Sequence, residues 1–366
     1  MQASRPLPEA RRCPANPILK PTDIRPTHPE LEVCCVMNAG ALRRDGVTYL
    51  MLRVDERPHP EQGYVSTAIS REGRIEILRF RRDTPGLDTH DPRGFTLPDG
   101  RMYITVLSHL RLARSKDGVH FAIEDQPAIF PAEPYEAYAA QDARMTEIEG
   151  TVYINYSAVS DHGIATALAT TTDFVTYRRH GLIFAPDNRN VCLFPRRIAG
   201  AYHALHRPMH AVPIGLNSVW LACSSDLTHW GGHRRVMAPR PGAWDDHHIG
   251  GGAPPIETPH GWLVVYHGAN RSNRYCLGVA LLDRDDPARV LARHTQALLQ
   301  PVMPYERQGF FGNVVFTDGA VVQDGLLRVY YGASDETVCL ADFPLEEVLS
   351  ALLSLSANGD RNYGEN

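Results

Sequence analysis

Lysine is almost missing from this chain of 366 residues: of 37 basic residues only Lys20 and Lys116 are lysines, and the rest are arginines. Schiff-base chemistry and lysine-bearing phosphate loops therefore have almost nowhere to sit, and cationic work falls to arginine and histidine. An excess of positive charge is missing too, since 42 acidic residues leave a formal net charge of −5. A general binder of nucleic acid or anionic membrane needs a basic footprint, so neither is expected as a partner. No apolar run approaches the roughly 20 residues that span a bilayer. The opening MQASRPLPEARRCPANPIL lacks the apolar core of a secretory leader. Seven cysteines, with Cys34 and Cys35 adjacent and no CxxC, match neither a disulfide framework nor a zinc site. Together these absences point to a reducing, cytoplasmic setting. HExxH, GxSxG and EF-hand patterns are also missing, so no metal and no cofactor is expected.

What is present is a repeat. Short runs of alternating apolar residues are joined by tight turns whose glycines are Gly46, Gly100, Gly150, Gly200, Gly261 and Gly325. Each reads as strand, turn, aromatic-rich strand, as in ALRRDGVTYLMLRV (41–54) and AVVQDGLLRVYYGA (320–333), which is a hairpin signal. Three units add a further strand and a Ser/Thr-Asp turn before an aromatic: LRLARSKDGVHF (110–121), ATALATTTDFVTY (165–177) and VWLACSSDLTHW (219–230). Antiparallel units of 40–50 residues are the mark of a β-propeller, and a β-sandwich with regular hairpins is the weaker alternative. LEEVLSALLSL (345–355) is the single amphipathic helix expected. The domain plan is an N-terminal arm (1–32), an all-β propeller (33–343), and a C-terminal helix and tail (344–366). The arm and the helix are the features that would carry contacts in a homo-oligomer.

Polar residues recur just ahead of the hairpins: Asn38, Asp91 with Arg93, Asp142 with Arg144, Arg189 with Asn190, His247 with His248, and Asn313. Any one of them could cap a turn, but acids, arginines and histidines recurring at one register of a propeller converge on its channel. A second set, Arg53, Arg111, Arg207, His267 and Asp335, lies at hairpin ends. With Arg189 these cations could form an anion pocket, because guanidinium forks match phosphate oxygens. The alternative is that each arginine pairs with a carboxylate of a neighbouring unit. GGGAPP (250–255) lacks the strand–turn–helix context of a nucleotide loop and reads as a tight crossing of strands.

NPIL (16–19), MNAGA (37–41), DPR (91–93), YEAYAAQDARMTEIEGTVYINYS (135–157), LFPRRIAGAYHALHRP (193–208), HIGGGAPPIETPHGWLVVYHG (248–268) and GFFGNVVFTDGAVVQDGLLRVYYGASDE (309–336) occur in this order. In these stretches the chain resembles glycoside hydrolase family 130, mostly mannoside phosphorylases, over about residues 16–350. The resemblance implies a five-bladed β-propeller, against six hairpin units counted above. One unit is then an embellishment, or the two chain ends share a blade. It also implies inverting phosphorolysis of a β-mannoside, with inorganic phosphate as co-substrate and α-mannose 1-phosphate as product. The likeness is strongest to the branch acting on β-1,2-mannobiose or short mannooligosaccharides.

By the same resemblance Asp142 is the general acid, its proton passing through a sugar hydroxyl. Arg189, Arg207, His248, His267 and Tyr275 hold phosphate, while Asn38, Arg53, Asp91, Arg144 and Asp335 contact sugar or its surroundings. Two departures stand out. The family's Glu-Asp-Pro-Arg is here Gln141-Asp142-Ala143-Arg144, which should lower the acid's pKa and loosen its turn. The usual Lys or Arg before Ile-Gly-Gly-Gly is His248, which carries less charge near neutrality. These departures keep two alternatives open, an inverting hydrolase with Asp245 or Asp246 as base, and a non-catalytic sugar-binding propeller. The loops at 55–64 and 209–218 are expected to set linkage and chain length.

Overall fold

In the computed structural model, residues 5–91, 93–209 and 215–357 are described; Pro92 of the DPR motif and positions 210–214 of the loop 209–218 lie outside them. The fold is mostly β. The turns follow from their residues: Asp45-Gly46, Glu149-Gly150 and Asp324-Gly325 all hold φ between 50° and 79°, the paired left-handed geometry of a two-residue hairpin. The Ser/Thr-Asp signatures are one turn used three times. Asp117, Asp173 and Asp226 each accept backbone N–H groups two and three residues ahead, at 2.8–2.9 Å.

Pairing groups the main strands into antiparallel meanders. Leu31–Arg44, Val47–Pro58 and Leu107–Ser115 form the first, with Ala122–Ile123 at its edge. Ala139–Ile148, Thr151–Ser160, Gly163–Thr171 and Arg178–Phe184 form the second, joined to the first by one parallel pair, Ala139 with Ser108. Asn188–Leu193, Tyr202–Pro208, Val219–Ser224 and Gly231–Met237 make the third. His248–Gly251, Gly261–Ala269, Tyr275–Leu282 and Val290–Arg293 make the fourth. Val315–Gln323, Leu326–Ala333 and Thr337–Pro344 make the fifth, completed by Arg11–Arg12 from the other end of the chain. The hairpin unit around Gly100 joins none of these meanders; Gly94–Thr96 and Met102–Ile104 pair with each other, and Thr96 also bridges to Asp88. The unit around Gly100 is therefore the addition, which leaves five hairpin-bearing meanders, and Arg11–Arg12 lends the fifth sheet an edge strand without changing that number.

Apolar side chains are buried between successive meanders. Met51 and Leu112 pack with Met145 and Ile154, Ile148 and Leu168 with Val191 and Tyr202, and Phe194 and Leu205 with Trp262 and Tyr266. Leu263 and Val279 pack with Val329 and Phe343, and Tyr330 and Leu340 of the last meander return to Val36 and Leu52 of the first. The helix Leu345–Ala357 follows the last strand directly and buries Val348, Leu349 and Leu352 in the fourth–fifth cluster. No helix among the described residues is long and apolar enough to cross a membrane. All seven cysteines are unpaired.

One irregularity positions the site. The first strand of the first three meanders carries a β-bulge, between Met37 and Gly40, Gln141 and Arg144, and Arg189 and Cys192. Within these bulges Asn38, Asp142 and Asn190 take φ of 46°, 54° and 58°. Asn and Asp tolerate that conformation better than other side chains, and a bulge re-aims the side chain it carries. The recurring polar register is thus inside the first strand rather than ahead of it.

Candidate active site

The bulges open onto a cavity of about 250 Å³. Its wall is lined by the polar side chains Asn38, Arg53, Arg93, Gln141, Asp142, Arg189, Asn190, Arg207, His267, Tyr275 and Asp335, and by apolar ones that include Ile104, Val106, Val159, Ile164, Phe310, Phe311 and Val314. Five first strands crowd together behind it, which explains the three consecutive glycines. A Cβ on Gly250 would stand 2.5 Å from Asn190 and His267, and one on Gly251 2.6 Å from the sulfur of Cys192. GGGAPP is a crossing point, as its context suggested.

Asp142 is 8 % exposed. Its Oδ1 accepts from Asn38 Nδ2 at 3.0 Å and from Arg53 Nη1 at 3.1 Å. No protein donor reaches Oδ2 among the described residues, so that oxygen is open to the cavity. Burial pushes this carboxyl up, but Arg53, Asn38 and Arg144 outweigh it, and the net shift is below the usual carboxylate range. The downward direction matches the expectation from the missing glutamate, although the depression arises from cations and hydrogen bonds. Arg53 is itself fixed by a bidentate pair with Asp55, both contacts at 2.8 Å. The loosened turn expected from Ala143 is held another way, by Arg144 Nη1 donating to the Asp142 carbonyl at 2.9 Å.

Asp335 behaves oppositely. Burial, with Asp142 and Asp55 nearby, pushes it up to about 6 against the pull of Arg53 and Arg93. The cavity therefore pairs one low and one high carboxyl, a separation that suits distinct protonation states. A carboxyl raised above its unfolded value of ~3.9 stabilises the fold below that value and loses the contribution as pH rises through its folded value. Asp335→Asn is expected to remove a fall in thermal midpoint between about pH 4 and about pH 7. The same fall in the variant would assign it to another group.

The cationic corner is built by strand register. Arg189 and Arg207 stand directly opposite each other on neighbouring strands, where like charges repel. Their Nε atoms are buried without a hydrogen-bond partner, and neither arginine forms an ion pair among the described residues. Burial lowers the pKa of both, Arg207 to about 9 with Arg189 contributing. Arg207 Nη1 lies 3.1 Å from His267 Nε2, which can only accept from a guanidinium. His267 is held neutral by burial and by Arg207, so it orients the arginine without adding charge. A buried Arg207 beside a partly buried Arg189, neither ion-paired among the described residues, makes a site for an anion.

Other expected residues are placed differently. His248 is not among the lining residues; its Nε2 meets the Tyr275 hydroxyl at 3.0 Å from behind, and burial with Arg207 pushes its pKa down to about 3. Arg144 stands behind the wall, bonded to the carbonyls of Gly251 and Gly252 and ion-paired to the buried Asp318. With a further contact to Asn190 Oδ1 at 3.4 Å it ties together four meanders, its own included, and it does not line the cavity. Asp91 is outside the wall as well, paired with Arg93, whose guanidinium lies over the Phe311 ring at 4.5 Å. Arg111 is buried and donates to the Arg25 carbonyl, away from the anion corner. Asn313 is exposed. Asp245, a candidate base for hydrolysis, is fully buried and held by Arg240, Arg293 and Tyr266. It cannot activate water. The lining residues without an earlier signal are mainly the apolar ones; a run such as Phe310-Phe311 between glycines was visible but indistinguishable from core.

The family model described as β-1,4-mannooligosaccharide phosphorylase, glycoside hydrolase family 130, matches residues 101–353. A β-1,2-mannobiose phosphorylase from Listeria innocua is 42 % identical over 343 residues, covering 92 % of this chain and 96 % of that protein. A 1,2-β-oligomannan phosphorylase from a Thermoanaerobacter species is 34 % identical, over 67 % of this chain and 82 % of its own. The solved complex of the Listeria innocua enzyme with β-1,2-mannobiose superimposes with a TM-score of 0.90 at 41 % identity, covering 94 % of this chain and 99 % of that one.

Proposed function

This chain belongs to glycoside hydrolase family 130, and from that premise we propose that it cleaves β-1,2-mannobiose or short β-1,2-mannooligosaccharides with inorganic phosphate. Phosphorolysis of β-mannosides is the activity named for its relatives, with β-1,2 linkages among those of highest identity. The observation that carries the phosphate assignment is the opposed pair Arg189 and Arg207, neither of them ion-paired among the described residues.

In this reading phosphate docks on the two arginines and Tyr275, and the reacting mannose lies against Asn38, Arg53 and Asp335. A phosphate oxygen forms a bond to the anomeric carbon as the bond to the leaving mannose oxygen breaks. That oxygen takes a proton originating at Asp142 Oδ2, directly or through a sugar hydroxyl. One displacement inverts the centre and leaves α-mannose 1-phosphate. Asp142 is ionised in the empty site at neutral pH, and the incoming phosphate charge favours its protonated form. Proton and phosphate therefore enter together. No metal or other cofactor has a part in these steps.

The same reading makes each of the five meanders one blade of a closed propeller. The cycle of apolar clusters, ending with the fifth meander packed on the first, supports it. Within it the arm (1–32), propeller (33–343), and helix with tail (344–366) act as one unit. The seven unpaired cysteines suit a cytoplasmic location.

The test is to incubate the protein with β-1,2-mannobiose with and without phosphate and to assay mannose 1-phosphate and free mannose. Mannose 1-phosphate formed only with phosphate is expected. Mannose released without phosphate would replace phosphorolysis by hydrolysis, and no turnover across a panel of mannoside linkages would favour a binding protein.

A further inference from the structure

We infer that His247 is a positioning residue of the anion corner, acting through His248 to set the direction in which the Tyr275 hydroxyl donates. The inference rests on the phosphate reading above. Tyr275 opens the strand Tyr275–Leu282 and lines the cavity beside Arg207. Its hydroxyl lies 3.0 Å from His248 Nε2, and the Nδ1 atoms of His248 and His247 are 2.9 Å apart. The rings meet nearly edge to face, with centroids 4.9 Å apart. Three polar groups thus form one chain running from solvent, where His247 is exposed, to the anion corner.

A neutral imidazole has one N–H and one lone pair, so such a chain has only two arrangements. In the first, His247 Nδ1–H donates to His248 Nδ1 and His248 Nε2–H donates to the Tyr275 oxygen. The phenolic hydrogen is then left for an anion in the cavity. In the second, every donor is reversed: His248 Nε2 accepts the phenolic hydrogen, and Tyr275 turns only lone pairs toward the cavity. Phosphate accepts hydrogen bonds and repels lone pairs, so it selects the first arrangement. His248 cannot escape the choice by becoming doubly protonated, because burial and the neighbouring Arg207 keep it neutral.

His247 has no direct contact with the cavity, and its backbone is anchored independently by its N–H on the Ala269 carbonyl at 3.1 Å. Its side chain can therefore be removed without moving the strand. In this protein two histidines and a tyrosine supply by orientation what a third cation would supply by charge.

Steady-state kinetics with varied phosphate and varied β-1,2-mannobiose test this on the wild type, His247→Ala, His247→Asn, His248→Lys and the double variant His247→Ala/His248→Lys. His247→Ala is expected to raise the phosphate KM by roughly 3- to 10-fold with kcat and the mannobiose KM nearly unchanged, the scale of one oriented hydrogen bond to a charged group. His247→Asn, whose amide can donate to His248 Nδ1, should restore most of that loss. In the His248→Lys background, which breaks the relay, adding His247→Ala should change nothing. With ¹⁵N-labelled histidine, phosphate should convert His248 to its Nε2–H form in the wild type and not in His247→Ala. An unchanged phosphate KM in His247→Ala, or an equal rise in both KM values, would overturn the relay while leaving phosphorolysis intact. A wild type that turns over mannobiose without needing phosphate would overturn the phosphate reading, and the relay with it.

Discussion

Asp142→Asn is expected to lower kcat on β-1,2-mannobiose by roughly 10³- to 10⁴-fold, the upper range for loss of a general acid. The geometry makes this substitution unusually clean. Both protein hydrogen bonds to the carboxyl, from Asn38 and Arg53, fall on Oδ1. An asparagine keeps that oxygen and its two donors, and replaces only Oδ2, the oxygen open to the cavity. The left-handed φ of 54° suits asparagine as well as aspartate. Folding should therefore survive, which circular dichroism and a thermal melt would check. A mannoside with a nitrophenolate leaving group needs little proton assistance, and its turnover should fall far less than that of mannobiose. If both substrates lost activity equally, Asp142 would be acting on binding or folding and not as the acid. If neither did, the acid would lie elsewhere.

Arg207→Ala is expected to raise the phosphate KM by roughly 10²-fold, about 2.7 kcal/mol, while the mannobiose KM changes little. Its effect on stability is the sharper readout. Arg207 is 6 % exposed, directly opposite Arg189, and forms no ion pair among the described residues. Removing the buried member of two opposed like charges relieves repulsion and desolvation, so the melting temperature without phosphate should be unchanged or higher. Phosphate, by binding only the folded wild type, should raise its melting temperature. That rise should vanish in Arg207→Ala. A variant that melts lower and still responds to phosphate would make Arg207 a scaffold residue. The two substitutions thus separate proton delivery from anion capture, and their effects should fall on kcat and on the phosphate KM respectively.

The hairpins were legible in the sequence because a two-residue turn with both φ positive needs Asp-Gly or its equivalents, and these recur. The repeat length and the amphipathic character of LEEVLSALLSL were legible for similar local reasons. The excess hairpin around Gly100 was also visible, but not that it stays outside the five meanders, since nothing in FTLPDGRMYI says which neighbour a strand will find. Of the candidate residues, Asn38, Arg53, Asp142, Arg189, Arg207, His267, Tyr275 and Asp335 line one cavity. Asp91, Arg144 and His248 do not, although each sits in a motif that looks equivalent.

The sequence by itself determined a repeated antiparallel architecture, a cationic chemistry confined to arginine and histidine, and a short set of polar residues at one register. Those properties are local, set by turn conformation, strand alternation and the identity of the side chains. Which residues face the cavity was decided by tertiary structure. Bulges rotate Asn38, Asp142 and Asn190 off the regular strand pattern, and strand register sets Arg189 against Arg207. Packing buries Asp245 between two arginines and holds His248 neutral against Tyr275. The physical reason is the same in each case: charge, protonation and direction depend on what the rest of the chain brings alongside, and that is fixed only when distant strands pair and exclude water.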